Sequence, residues 1–234
     1  MQREEGGKTE MYIELSYKFD KNMPIYPGSP KEEIIPNTRI KQDDPSNTTT
    51  LKHFLHNGTH VDAPFHFYNN GSTIDQIPIE DFVYQTPLII DKKLKKSELL
   101  EVEDLKKYGE ELYLADILFF YTGYCKIRNK PDLYVDDFPA ISEKTARFIR
   151  TELLNIKAVA IDVLSIESAI SGPKTNFKVH KTLLDGDLYK TRALLIFEDV
   201  NIGKVLNKKI KKIYAFPLRL KGLDASPVNI IAEI

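Results

Sequence analysis

The chain has 234 residues, 29 % of them charged and 42 % hydrophobic, which is enough to bury a substantial core in one large domain or in a compact domain with insertions. A formal net charge of −1 argues against an electrostatic nucleic-acid binder, and no apolar run approaches the roughly 20 residues that span a bilayer. Cys125 is the only cysteine, so no intramolecular disulfide can form, which fits a reducing cytoplasm.

Residues 1–10 contain no hydrophobic stretch and read as a flexible leader, with a single domain over residues 11–234. Strands are expected near 12–16, 52–56, 87–90, 117–121, 158–162, 193–197, 213–217 and 228–231. Helices are expected near 97–108, 142–154 and 200–207. Ser142 is a candidate N-cap, Glu143 suits the first turn, and Ala146, Ile149, Leu153 and Leu154 follow at helical spacing. The alternating signs over 91–107 read as a solvated helix with its approach loop. The lysine-rich stretch 204–212 reads better as a helix C-terminal turn leading into a strand than as a phosphate patch. No internal repeat or low-complexity linker interrupts the pattern, and the mixture predicts an α/β domain with a mixed sheet.

Chemistry concentrates where His53, His56, His60 and His66, four of the five histidines, fall within fourteen residues alongside Asp62. Imidazole nitrogen and carboxylate oxygen together suit a borderline divalent metal such as zinc or manganese. Two local structures satisfy the His56/His60 spacing: a helical pair, for which Asn57-Gly58-Thr59 is a poor interior, or a tight turn after a strand. His60 and Asp62 are two apart, on one face of an extended segment that Pro64 should end. His180 and Glu198 are unremarkable alone, although Glu198 closes an apolar strand at its carboxyl end, where α/β proteins commonly bind ligands. Cys125 has Lys126 and Arg128 nearby, but an inert thiol is the better reading.

The string His56-Asn-Gly-Thr-His60-Val-Asp62-Ala-Pro-Phe-His66-Phe resembles the signature of the metal-dependent cyclase/hydrolase family, which includes bacterial kynurenine formamidase, isatin hydrolase and polyketide-type cyclases. The likeness continues, in the family's order, through Ile13-Glu-Leu-Ser16, Met23-Pro-Ile-Tyr-Pro-Gly-Ser-Pro30, Thr122-Gly123-Tyr124, Asp162-Val-Leu-Ser165-Ile-Glu167, His180-Lys-Thr-Leu-Leu184, Phe197-Glu198 and Asp224-Ala-Ser226-Pro227. Three positions depart from the family's usual pattern: Glu167 where aspartate is common, Ala225 where Gly-Ser-Pro begins, and Tyr17 where histidine follows Leu-Ser.

The resemblance implies a swivelling β/β/α fold, a small barrel-like sheet flanked by helices. It implies metal ligation by His56, His60, Asp62, His180 and Glu198. Five ligands exceed what one open catalytic zinc usually takes, so two ions of zinc or manganese bridged by Asp62 are expected. His66 is expected to shuttle a proton, the alternatives being a sixth ligand or a hydrogen-bond partner of a ligand. The expected activity is hydrolysis of a small non-peptide amide, lactam or lactone, led by an arylformamide. A metal-dependent cyclase or dehydratase, and a non-catalytic domain with structural metal, are the other two readings. A homodimer or tetramer is implied, with no nucleic-acid or membrane partner.

Overall fold

The computed structural model describes residues 11–189 and 191–234, so the leader expected over 1–10 lies outside them. In chain order the strands are β1 (Tyr12–Glu14), β2 (Glu33–Thr38), β3 (Thr48–Lys52), β4 (His60–Asp62), β5 (Val83–Tyr84), β6 (Pro87–Asp91), β7 (Leu99–Leu100), β8 (Ile117–Tyr121), β9 (Ala140–Ile141), β10 (Ala158–Ile161), β11 (Leu195–Glu198), β12 (Lys212–Pro217) and β13 (Ala225–Glu233). The α-helices are α1 (Val102–Lys106), α2 (Glu110–Leu114), α3 (Pro131–Tyr134), α4 (Glu143–Glu152) and α5 (Lys178–Leu184).

The main sheet runs β5-β12-β13-β4-β11-β10-β8-β6, with β1 also on β13. Strands β6, β8, β10 and β11 are mutually parallel, and the remaining pairings are antiparallel. Its two edge strands, β5 and β6, are separated in the chain only by Gln85 and Thr86, so the sheet curls almost onto itself. Asp116 pins that corner by accepting the Gln85 and Thr86 N–H groups at 2.7 and 3.0 Å.

Continuous apolar runs make the central strands, because both faces are covered. In β8, Ile117, Phe119 and Tyr121 point into the barrel interior with Val61, Ala160, Phe197 and Ile230. Leu118 and Phe120 point outward and join Val159, Ile161 and Ile196 under Ile149 of α4 and Val179 and Leu183 of α5. Helix α4 begins as its sequence predicts: the Ser142 hydroxyl accepts the Thr145 N–H at 3.1 Å, satisfying one of the first-turn donors.

Three expected elements differ. The helix expected over 97–108 is split, since buried Leu100 pairs with β9 in the short strand β7 and α1 starts only at Val102. The strand expected over 52–56 stops at Lys52, where the chain enters turns. The helix expected over 200–207 is a single 3-10 turn, Ile202–Val205, following a left-handed residue at Asp199. Strand β2, which the alternation did not reveal, pairs with β3 in a separate hairpin exposing Ile34, Ile35 and Leu51. Among the described residues, no helix is long and apolar enough to cross a membrane.

Candidate metal centre

Register places the first side chains. In β4, His60 and Asp62 share a face, while Val61 points into the barrel interior. Antiparallel pairing sets His60 opposite Glu198 and Asp62 opposite Ile196 on β11, so His60, Asp62 and Glu198 all face the helical layer. From that layer α5 contributes His180. His56 arrives by a turn rather than a helix: Asn57 N–H donates to Phe54 C=O at 3.0 Å, and Gly58 takes φ +70°. An added Cβ at Gly58 would also lie 3.0 Å from the Met23 sulfur, so both backbone conformation and space call for glycine there.

All five expected ligands converge. His56 Nδ1 lies 2.8 Å from Asp62 Oδ1, and His60 Nε2 lies 3.4 Å from the same oxygen. His60 Nε2 is 3.3 Å from Glu198 Oε2, and His180 Nε2 is 3.3 Å from Glu198 Oε1. Three overlapping triads result, each with ligand atoms within 4.8 Å of one another: His56, His60 and Asp62; Asp62, His180 and Glu198; and His56, His66 and Asp224. Asp62 belongs to the first two. His53 leaves the cluster, its Nδ1 2.8 Å from Glu32 and its ring edge-on to Phe19.

Outer partners fix the rings. The Gly58 carbonyl can only accept, so His60 carries its proton on Nδ1, 2.9 Å away, and leaves the Nε2 lone pair for the centre. His180 Nδ1 lies 3.0 Å from Glu167 Oε2, with the same consequence. Glu167 is steadied in turn by the Thr175 hydroxyl at 2.9 Å. Glu198 Oε1 accepts the Ile166 N–H at 2.7 Å and the Ser165 hydroxyl at 3.1 Å. Asp224 sits 2.7 Å from His56 Nε2 and 3.4 Å from His66 Nδ1, and the His56 and His66 rings lie 4.0 Å apart.

A divalent cation fits this arrangement. His60 Nε2 and both Asp62 oxygens are buried, yet none is aligned in a hydrogen bond, even though Asp62 Oδ1 lies 2.8 Å from His56 Nδ1 and 3.4 Å from His60 Nε2. Such orphaned donor atoms are rare unless something else uses their lone pairs. Electrostatics agree. Burial works against a charged His56, but the Asp62 and Asp224 carboxylates outweigh it and raise its pKa to about 9. Burial likewise opposes charge on His180, and Glu167 and Glu198 prevail, raising it to about 10. For Glu198, burial is overcome by His180 and His60, which hold its carboxyl down at about 2. The centre therefore demands positive charge among buried carboxylates. Its all-nitrogen-and-oxygen donor set suits zinc or manganese.

Other motif residues have structural work. Asp162 joins the ends of β8 and β10 by accepting the Thr122 N–H at 2.8 Å and the Gly123 N–H at 3.0 Å. Ser226 pairs with Val61 and so faces away from the centre. Cys125 is half-buried outside it, and burial pushes its thiol up to about 12, which leaves it inert.

Above the cluster lies a cavity of about 310 Å³ whose walls are Tyr26, Phe54, Phe67, Phe177 and Leu164 and whose floor includes His56, Asp62, His66, His180 and Glu198. A larger cavity of about 570 Å³, lined by Lys157, Asp187 and Arg192, contains none of the clustered histidines. Convergent donors, not size, mark the site. Glu167 and Asp224 were not assigned roles by sequence. A carboxylate before a strand carries no signal of its own, and only the β4–β13 pairing brings Asp224 beside His56.

Residues 13–168 match the Cyclase family model. A kynurenine formamidase from Bacillus thuringiensis subsp. konkukian is 26 % identical over 230 residues, covering 97 % of this chain and 99 % of that protein. Isatin hydrolase A from Labrenzia aggregata, bound to benzyl benzoate, superposes with a TM-score of 0.80 at 18 % identity, over 96 % of this chain and 94 % of that one. The structure of a potential metal-dependent hydrolase with cyclase activity gives a TM-score of 0.64 at 21 % identity, over 96 % and 98 %.

Proposed function

This chain belongs to the cyclase family, and we propose that it is a metal-dependent hydrolase of a small non-peptide amide, lactam or lactone, with an arylformamide as its leading substrate. The observation that carries this reading is the meeting of two ligand triads at Asp62 beneath an aromatic-walled cavity. In it, His56, His60, Asp62, His180 and Glu198 would hold one or two divalent ions, within a single catalytic domain spanning 11–234. Bound zinc or manganese supplies Lewis-acid polarisation of a carbonyl and a lowered pKa for water.

The protein's own groups do the rest. Phe54, Phe67 and Phe177 seat a flat substrate over the ligand floor. His66 is 27 % exposed where His60 is fully buried, so it has both access to the cavity and freedom to exchange protons. Its Nδ1 lies 3.4 Å from Asp224 Oδ2, which orients the ring so that it can take a proton from attacking water and return it to the leaving nitrogen. Asp224 also steadies His56. The exposed Ile34, Ile35 and Leu51 of the β2–β3 hairpin support a homodimer or tetramer, and the reading places the enzyme in the cytoplasm.

The test strips the protein with a chelator, restores zinc or manganese separately, and assays formanilide, isatin-like lactams and simple lactones. Activity lost on stripping and regained with either ion is expected. Full activity after verified metal removal would overturn the reading. Bound metal without turnover of any of these substrates would point to a cyclase or a structural ion. Elemental analysis of His60→Ala should show most of the metal gone.

A further inference from the structure

Asp199 directly follows Glu198 and takes φ +52°, a left-handed conformation that strains a non-glycine residue. Such strain persists only where the surroundings over-determine it. Here they do. Asp199 is completely buried, and its carboxylate accepts three hydrogen bonds from Arg128, from Nε at 2.8 and 3.0 Å and from Nη2 at 2.6 Å. The Tyr134 hydroxyl adds a fourth at 2.7 Å. The Asp199 N–H donates to the Val163 carbonyl at 2.7 Å, and its own carbonyl accepts the Thr59 hydroxyl at 2.7 Å. Arg128 is itself held flat, its guanidinium 3.7 Å from the centre of the Tyr17 ring.

Two of these ties lead back to the centre. Thr59 precedes His60, which stands opposite Glu198 in the ladder. Val163 begins the segment whose Ser165 hydroxyl and Ile166 N–H hold Glu198 Oε1. An ion pair serving only the core has no need of a strained residue and would be as well placed elsewhere. This one locks the backbone turn immediately after a ligand carboxylate.

We propose that Asp199, gripped by Arg128, is a positioning residue that sets the direction of the Glu198 carboxylate and its spacing from His60 at the metal centre. The proposal rests on the reading of Glu198 as a metal ligand. Neither Arg128 nor Asp199 touches the centre; both act through Glu198.

The experiment measures zinc affinity of purified protein by competition with a chromophoric chelator, together with melting temperature and the absorption spectrum of the cobalt-substituted form. Arg128→Met and Asp199→Ala should bind zinc about 10–100-fold more weakly, the range seen when outer partners of a ligand are removed. Their cobalt spectra should shift. Asp199→Asn keeps one acceptor for Arg128 and is at ease in the left-handed region, so its affinity should fall between those of Asp199→Ala and wild type. A merely structural pair would lower the melting temperature but leave zinc affinity and the cobalt spectrum of the folded protein unchanged, and that result overturns the proposal. Should Asp199→Ala fail to fold, Arg128→Lys keeps the charge without the fork and gives the same readout. Glu198→Ala separates the two claims. If it binds zinc as wild type does, the metal-site reading fails; if it loses zinc while Arg128→Met does not, only the positioning role fails.

Discussion

Glu167 and His180 form a pair whose geometry determines what His180 can do: Oε2 lies 3.0 Å from Nδ1 and 3.3 Å from the His180 N–H, leaving Nε2 turned toward Glu198. A glutamate fixed in this way sets the ring's tautomer and raises its basicity as a ligand. Glu167→Ala is therefore expected to weaken metal binding by about 10–100-fold. Glu167→Gln keeps the size but has a weaker acceptor, and should fall between alanine and wild type. Titration with zinc checks the order; equal affinities across the three proteins would remove Glu167 from the centre's support.

The metal-stripped protein should have an unusual pH profile. His56 and His180 have pKa values raised from 6.5 to about 9 and about 10, chiefly by carboxylates that overcome burial. A raised folded-state pKa contributes stability that is fully present below the unfolded value and is lost as pH climbs through the folded one. Stripped protein should therefore lose stability as pH rises from about 6.5 toward 10. Zinc must displace the same protons, so binding near pH 7 should release them and affinity should grow with pH. Melting curves across this range, and calorimetry in buffers of different ionisation enthalpy, check both signs. No proton release on binding would contradict the arrangement.

The centre was legible in the sequence to an unequal degree. His56, His60 and Asp62 sit so close in the chain that period-two alternation and one turn suffice to gather them. His180 and Glu198 needed the resemblance, because a lone histidine on a seven-residue helix and a glutamate ending a strand have no local pattern that links them. Strand β8 was readable to the residue, since an unbroken apolar run covered on both faces has clear ends. The 97–108 segment was not, because its charge pattern suits a helix while the β7–β9 pairing claims Leu99 and Leu100. Nor was the 200–207 segment: its helical pattern is overridden by the left-handed turn at Asp199, which only a partly buried arginine from a distant loop makes visible.

Phe177 should discriminate substrates. It caps α5 at φ +52°, its ring sits 5.6 Å from Phe67, and an added Cβ on Gly172 would lie 3.1 Å from that ring. A strained aromatic wedged against a glycine over the ligand floor suits stacking on a flat acyl group, an interaction worth about 0.5–1.5 kcal/mol. Phe177→Ala should accordingly raise KM for formanilide by roughly 2–10-fold, with kcat and metal content close to wild type. A small aliphatic formamide should show little change. Equal effects on both substrates would deny the ring any part in selecting aromatic ones.

His66 separates proton transfer from metal binding. It stacks 4.0 Å from His56 and shares Asp224 with it, so it is near enough to the centre to be either a shuttle or a ligand. A shuttle acts only as protons move, so His66→Ala should keep nearly all its metal and lose turnover by about 10²–10⁴-fold. The loss should be larger for an amide, whose nitrogen must be protonated to leave, than for an activated ester, whose oxygen needs little help. A ligand would behave differently, with metal content and both rates falling together. Metal stoichiometry and the two rates, measured on the same preparation, decide the matter; reduced metal with equal losses on amide and ester would place His66 in the His56–His66–Asp224 triad as a ligand.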